Sequence, residues 1–248
     1  MIRTSEIIKT IEKFAPSALA EDWDNTGWQI NLYNPNTKKI MICVSVTPAI
    51  VKQAIELGCD MIICHHPLIF HPIRKINDIK IIKAIQNNIQ IYAVHTNADK
   101  TIGGTTDTMA RMLQLKSIEA INDFVKIGSY KAPVSIDEFI SILKLIFNVE
   151  KIKVSNLANK KVIKNIALCA GAGSEFLGEL HKYNIDAYVT GDLKYHDVVD
   201  INKFAIFDIG HYESEKPFVE QMTNIIRKAK GDKIEIVIAN EKPAWNIL

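Results

Sequence analysis

The chain has 248 residues, 48% of them hydrophobic, with 30 basic and 28 acidic side chains that leave a formal net charge of +2. A chain of this length buries one large core or two smaller ones, and its near-neutral charge provides no electrostatic basis for binding nucleic acid. No apolar run approaches the ~20 residues of a membrane helix, and residues 1–16 are amphipathic, unlike a signal peptide. We therefore expect a cytoplasmic protein without a membrane partner.

The first part of the chain alternates helical and extended patterns. Apolar residues at helical spacing predict a helix over residues 4–14, with Thr4 or Ser5 as its cap. Buried strands are predicted at 39–46, 59–66 and 89–96, and helices at 47–58 and 76–88. Because strands alternate with helices, we expect a mainly parallel sheet covered by helices on both faces.

The second part repeats this rhythm. Strands are predicted at 162–170, 185–191, 204–210 and 233–239, and helices at 171–183, 192–204 and 212–230. The stretch from about 115 to 160 is less regular, with a helix near 135–147, and we place a boundary there. The prediction is an α/β protein with one α/β lobe over residues 1–125 and another over 126–248, packed either separately or as one unit.

Side chains able to bind metal follow three of the predicted strands. His65 and His66 end the second strand, His95 ends the third and is followed by Asp99, and His211 follows the strand at 204–210, with Glu215 beyond. Because the carboxyl ends of parallel strands form the binding edge of such sheets, we expect these side chains to meet there.

The spacing of these residues predicts two metal ions. Adjacent side chains of extended chain point to opposite sides, so His65 and His66 would reach different ions, while His211 and Glu215 share one helix face. Imidazole and carboxylate ligands suit zinc, iron or manganese, and five ligands for two ions leave positions for an activated water. Each feature alone has a plainer interpretation, a histidine on the surface or at a helix cap.

Other residues are less specific. His196 is a candidate general acid or base, with a backbone-bonded histidine at a helix start as an equal alternative. Residues 171–174, GAGS, lack the Walker lysine and indicate a tight turn rather than a phosphate loop. Residues 23–30 indicate a packed loop, although Asp24 or Asn25 near the site would fit a functional one. The four cysteines indicate buried apolar side chains.

Seven segments in order resemble one known family, the GTP cyclohydrolase 1 type 2 homologues, or Nif-three-like dinuclear metal proteins. They are APSALAEDWDNTGW (15–28), VTP (46–48), ICHHPLIF (63–70), VHTNADKTIGGTTD (94–107), CAGAGSEF (169–176), DAYVTGDLKYHD (186–197) and DIGHYESE (208–215). Ser45 departs from the family, which often has aspartate there. The compact 115–160 stretch indicates a short member without the inserted domain of longer ones.

The resemblance implies a two-domain α/β fold, a dinuclear metal centre and a homohexameric ring whose metal sites face an internal cavity. The family's ligands correspond to His65, His66, Asp99, His211 and Glu215, with Glu215 as the bridging carboxylate.

Three functions remain open. The first is a metal-dependent hydrolase acting on a nucleotide or another small molecule, with His95 or His196 as proton carrier; the family name indicates opening of the GTP purine ring. The second is a non-enzymatic metal-binding or regulatory ring that recruits partners. The third, a nucleic-acid clamp, is disfavoured by the charge balance.

Overall fold

The computed structural model describes residues 1–155 and 161–245, and the chain divides into two compact units. Unit 1 comprises Met1–Thr101 and Phe218–Lys242, and unit 2 comprises Ile102–Pro217 and Pro243–Leu248. These units differ from the expected lobes 1–125 and 126–248. The difference arises because the last strand pairs with the first sheet, whereas the segment after Thr101 builds the second.

Unit 1 contains a five-stranded sheet, a two-stranded ribbon and five helices, numbered here along the whole chain. Its elements are β1 (Ile2–Arg3), α1 (Thr4–Phe14), a 3-10 turn (Ser17–Leu19), β2 (Gly27–Ile30), β3 (Asn36–Thr37), β4 (Lys39–Cys43), α2 (Pro48–Glu56), β5 (Met61–Cys64), α3 (Ile79–Gln86), β6 (Gln90–Ala93), α4 (Thr96–Lys100), α10 (Pro217–Lys230), a 3-10 turn (Gly231–Lys233) and β13 (Glu235–Ile238). The sheet order is β13-β4-β5-β6-β2, with only β2 antiparallel to its neighbour.

Both faces of this sheet are covered. Met41, Ile62 and Ile91 belong to a buried cluster that includes apolar residues of α2 and α3. The alternate residues face the other way, and there the Tyr92 hydroxyl donates to a Glu12 carboxylate oxygen of α1 at 2.7 Å. Strands buried on both faces explain why their sequences are continuously apolar rather than alternating.

The described residues of unit 2, which exclude 156–160 and 246–248, contain a six-stranded mixed sheet. Its elements are α5 (Thr105–Met112), β7 (Lys116–Ala120), β8 (Lys126–Ser135), α6 (Ile136–Phe147), β9 (Lys153–Ser155), β10 (Val162–Ala172), a 3-10 turn (Ser174–Phe176), α7 (Leu177–Leu180), β11 (Ala187–Gly191), α8 (Tyr195–Val198), β12 (Ala205–Asp208) and α9 (His211–Glu215). The order is β7-β8-β10-β11-β12-β9. The central β10, β11 and β12 are parallel, and the outer strands pair antiparallel.

Two buried clusters cover the faces of the second sheet. Phe139 and Leu143 of α6 pack with Val189 and Phe207 on one face, and residues of α7 pack with Tyr188 and its neighbours on the other. The expected α/β class, with helices on both faces of the sheets, is confirmed, and the second sheet carries more antiparallel pairing than expected.

Several local expectations were wrong. No side chain caps α1 in the expected way, because the Thr4 hydroxyl instead donates to the Asn34 carbonyl oxygen at 2.8 Å. The helix expected at 212–230 is split into α9 and α10, because Pro217 cannot donate a helical hydrogen bond and clashes with the preceding turn. Only short helical segments form at 174–180 and 195–198, and β2 lies where a loop was expected.

Across residues 1–155 and 161–245, no helix is both long enough and apolar enough to cross a membrane.

Candidate metal centre

His65 lies directly after β5, and its side chain is fully buried. Its Nδ1 is 2.9 Å from the carbonyl oxygen of Val94. Because a carbonyl only accepts, the neutral ring donates from Nδ1 and keeps its lone pair on Nε2. That Nε2 lies 3.6 Å from Oδ1 of Asp99 in α4. Two ligand atoms at about 2.1 Å from one tetrahedral ion are ~3.4 Å apart, so this pair has the spacing of shared metal ligands.

His66 is half-buried beside His65, and Nδ1 of its ring lies 2.7 Å from the Ser45 hydroxyl. Ser45 therefore supplies a polar partner where the family often has aspartate. The His65 and His66 ring centroids are 5.3 Å apart with their planes inclined by 35°. The rings do not diverge as expected for a strand, because β5 ends at Cys64 and both residues lie in a bend.

His95 completes a group of three imidazoles in unit 1. Its ring centroid lies 5.4 Å from that of His65 and 5.6 Å from that of His66. Nδ1 of His95 is 2.9 Å from Oδ1 of Asp24, whose other oxygen accepts from the backbone N–H and hydroxyl of Thr96. Asp24 therefore orients His95, which puts part of the 23–30 segment beside the three imidazoles.

The charge of Asp24 is stabilised by its surroundings. Burial alone raises the pKa of this carboxyl group, but hydrogen bonds from His95 and Thr96 and the attraction of the imidazole outweigh burial and lower the pKa. The Asp24 side chain has no exposed surface. A buried carboxylate that remains ionised favours the Nδ1-protonated form of His95 and leaves Nε2 to exchange a proton.

In unit 2, α9 places His211 and Glu215 on one helix face, as their spacing predicts. Nε2 of His211 is 3.0 Å from Oε1 of Glu215, and its Nδ1 is 2.9 Å from Oδ2 of Asp192. Burial alone lowers the pKa of His211, but hydrogen bonds and charges from the two carboxylates raise it to about 9. At neutral pH His211 is therefore protonated, and this proton would have to leave before Nε2 could bind a cation.

Two glycines make room for this pair. A Cβ on Gly171, whose φ is +67°, would collide with Oε1 of Glu215 and lie 3.6 Å from Cε1 of His211. A Cβ on Gly191 would lie 2.6 Å from the backbone nitrogen of His211. Ser214 accepts from the Gly171 N–H at 2.9 Å and ties β10 to α9. Gly171, near the end of β10, therefore forms a cradle for the Glu215 carboxylate.

The other predicted residue of this region, His196, is exposed on α8. Its ring centroid lies 5.3 Å from that of Tyr195. The residue of the same motif that contacts His211 is Asp192, which the sequence interpretation missed. Its position directly after β11 was the available signal, since strand ends carry the site residues in such sheets.

A cavity of about 880 Å³ in unit 1 is lined by Arg3, Lys9, Trp28, Tyr33, Asn34 and neighbouring residues. None of the five predicted metal ligands lines it. The imidazole group, rather than this cavity, is therefore the candidate site.

Comparison with known proteins agrees with the motifs. The family model Duf34/NIF3 (NGG1p interacting factor 3) matches residues 2–244. The chain belongs to the Duf34/NIF3 family. One relative, a "GTP cyclohydrolase 1 type 2 homolog" of Clostridium perfringens, is 30% identical over 258 residues, covering 97% of each chain. A "GTP cyclohydrolase 1 type 2" of Helicobacter pylori is 30% identical over 235 residues, covering 91% of this chain and 92% of the relative.

A solved NIF3-related protein of Bacillus cereus shows the same fold. Its TM-score is 0.89 at 21% identity, with 100% of this chain and 99% of that chain covered. The predicted NIF3-like fold is therefore confirmed. His65 and His66 of unit 1 and Glu215 of unit 2 carry side chains of the kinds that could hold a metal ion.

Proposed function

We propose that this NIF3-family protein is a dinuclear metal-dependent hydrolase that acts on a nucleotide-like small molecule. Two divalent ions, with zinc, iron or manganese best suited, would be held by His65, His66, Asp99, His211 and Glu215. Glu215 would serve as the bridging ligand, because a carboxylate has two oxygens to offer.

One observation carries the proposal: each unit contains an imidazole whose one nitrogen is held by a polar partner while the other nitrogen faces a carboxylate. The Val94 carbonyl accepts from one nitrogen of His65, and the other nitrogen faces Asp99. Asp192 likewise meets one nitrogen of His211, and Glu215 meets the other. A histidine that binds metal almost always uses its second nitrogen for such a hydrogen bond, which fixes the tautomer and the ring orientation.

The donor set and the space around it fit a metal. Because Gly171 has no Cβ, there is room beside it for the Glu215 carboxylate. Imidazole and carboxylate groups together form a set of ligands that suits zinc, iron and manganese. When bound, a pair of divalent ions supplies an activated water and stabilises a developing negative charge.

The chain itself would move the protons. Asp24 orients His95 and favours protonation at Nδ1, so that Nε2 is available as general acid or base. His196, exposed on α8, is the second proposed proton carrier. The support is stronger for His95, because a buried carboxylate fixes its ring.

The substrate class and assembly come from the family. The name of the Helicobacter pylori relative specifies a GTP cyclohydrolase, so GTP is the first substrate to test. The homohexameric ring is likewise carried over as a proposal, and sedimentation of the purified protein tests it.

The deciding experiment combines metal analysis with a formate assay. Protein purified with zinc, iron or manganese should retain two ions per chain by mass spectrometry and release formate from GTP. Glu215→Gln should lose metal and formate release. Glu213→Gln, on the same helix but outside the proposed ligand set, should retain both.

The outcomes separate the functional alternatives. Retained metal without formate release from GTP, and without turnover in a wider hydrolase screen, would favour the non-enzymatic ring. Equal metal content in Glu215→Gln and in the unchanged protein would refute the proposed ligand set.

A further inference from the structure

Two large aromatic side chains of unit 1 are exposed beside the imidazole group. Trp23 is 58% exposed and Phe70 is 46% exposed. Their ring centroids are 5.8 Å apart with the ring planes inclined by 49°. They lie 6.1 and 6.4 Å from the ring of His95, with their planes at 77° and 80° to it. We call Trp23 and Phe70 the aromatic platform. Exposing aromatic side chains to water is unfavourable, and exposed apolar patches often mark binding sites. The position of these two rings beside candidate site residues therefore indicates a ligand-binding surface.

The backbone on both sides of the platform is held by side-chain amides. Asn25 donates to the carbonyl oxygen of Ile69 at 2.6 Å, and the Ile69 N–H donates to Gln29 at 2.9 Å. Gln29, which is buried, also donates to the carbonyl oxygen of Asn25 at 2.6 Å. These bonds join the loop carrying Trp23 to the loop carrying Phe70. The platform is therefore pre-organised, which reduces the entropy lost when a ligand binds.

We propose that one ring of the aromatic platform stacks face to face on a flat heteroaromatic ring of the purine class while the other, inclined ring meets its edge, which presents the bound ring to the imidazoles of unit 1. This inference rests on the proposed function and specifies how the substrate is recognised. Aromatic side chains bind nucleobases face to face, because every base offers a π-face. The contact of both rings with His95, the proposed proton carrier, places a stacked ring next to the group that would act on it.

The competing occupant is a second copy of the chain. Ile73 and Ile76, further along the loop of Phe70, are 48% and 60% exposed. A stable interface buries about 800 Å² on each partner, more than the exposed parts of these four side chains provide, whereas the two aromatic rings match the size of one base. This comparison favours a small aromatic ligand.

The test measures binding of guanosine to the full-length, metal-loaded protein by calorimetry, with ribose 5-phosphate as the probe that lacks a ring. Trp23→Leu and Phe70→Leu should each weaken guanosine binding roughly 5- to 150-fold, the range for loss of one stacking partner. Trp23→Phe should restore most of the affinity. Tyr33→Leu removes an exposed aromatic side chain elsewhere in unit 1 and should leave affinity unchanged. Light scattering on each variant should show an unchanged oligomeric state.

Three results would overturn the proposal: no guanosine binding at millimolar concentration, equal affinity in the leucine variants, or dissociation of an oligomer as their main effect. Failure of the proposed function is distinguishable. Guanosine binding that depends on Trp23, without turnover of GTP or of any substrate in the wider hydrolase screen, would support the platform and refute the hydrolase. GTP turnover with an unchanged KM in Trp23→Leu would support the hydrolase and refute the platform.

Discussion

Replacing Gly171 with alanine tests the carboxylate cradle of unit 2. The φ of Gly171 is +67°, so alanine there would cost about 1–2 kcal/mol of folding free energy in the left-handed region. The new Cβ would also collide with Oε1 of Glu215. Because that atom ends a flexible side chain, the collision should move the carboxylate rather than unfold the unit. Metal affinity should then fall by at least the ~10–100-fold that follows loss of a ligand's supporting contacts.

Gly58 offers a matched control. It has a φ of +65°, and a Cβ there would meet nothing within 4 Å. Gly58→Ala and Gly171→Ala should therefore lose similar stability in urea unfolding, while only Gly171→Ala should lose zinc affinity in competition with a chromophoric chelator. If both variants bound zinc equally, the role assigned to the cradle and to Glu215 would be wrong.

Three further predictions concern orientation, protonation and burial. Asp192→Asn should reduce metal affinity about 10–100-fold, because His211 loses its orienting carboxylate; unchanged affinity in the chelator competition would contradict this. Burial raises the pKa of Glu12, but hydrogen bonds from Ser17 and Tyr92 outweigh it and hold the pKa below 4.5. The resulting stabilisation is complete above pH 4.5 and is lost as the pH falls through the lowered pKa. Glu12→Gln should therefore reduce the loss of unfolding free energy at acid pH, measured by urea unfolding at several pH values. An unchanged pH dependence would refute the hydrogen bonds assigned to Glu12. The four cysteines are buried, and burial raises the pKa of Cys59 to about 11, so a thiol reagent at pH 8 should label none before unfolding and all four after it.

The candidate metal ligands could be named from the sequence because they follow strands that the sequence reveals. β5, β6 and β12 are continuous apolar runs, and the residues after parallel strands gather at one edge of a sheet. Within unit 1, His65, His66, His95 and Asp99 come together as expected. The role of Asp192 was missed, because nothing in local spacing shows which exposed acid will meet an imidazole nineteen residues away.

The unpredicted strands have weak local signals. β8 contains lysine, glycine and proline, and becomes a strand by pairing with β10 and β7. β2 resembles a loop in sequence and pairs with β6. Strand propensity depends on neighbours, so tertiary pairing overrides the local pattern in such segments.

By itself the sequence determined the α/β pattern, the family and the side chains able to bind metal, since these depend on residue type and short-range periodicity. Only the tertiary structure decided that β13 joins the first sheet, that Asp24 and Asp192 orient His95 and His211, and that Gly171 leaves room for Glu215. Those facts arise from residues distant along the chain, whose meeting depends on the packing of whole elements and leaves no local trace in the sequence.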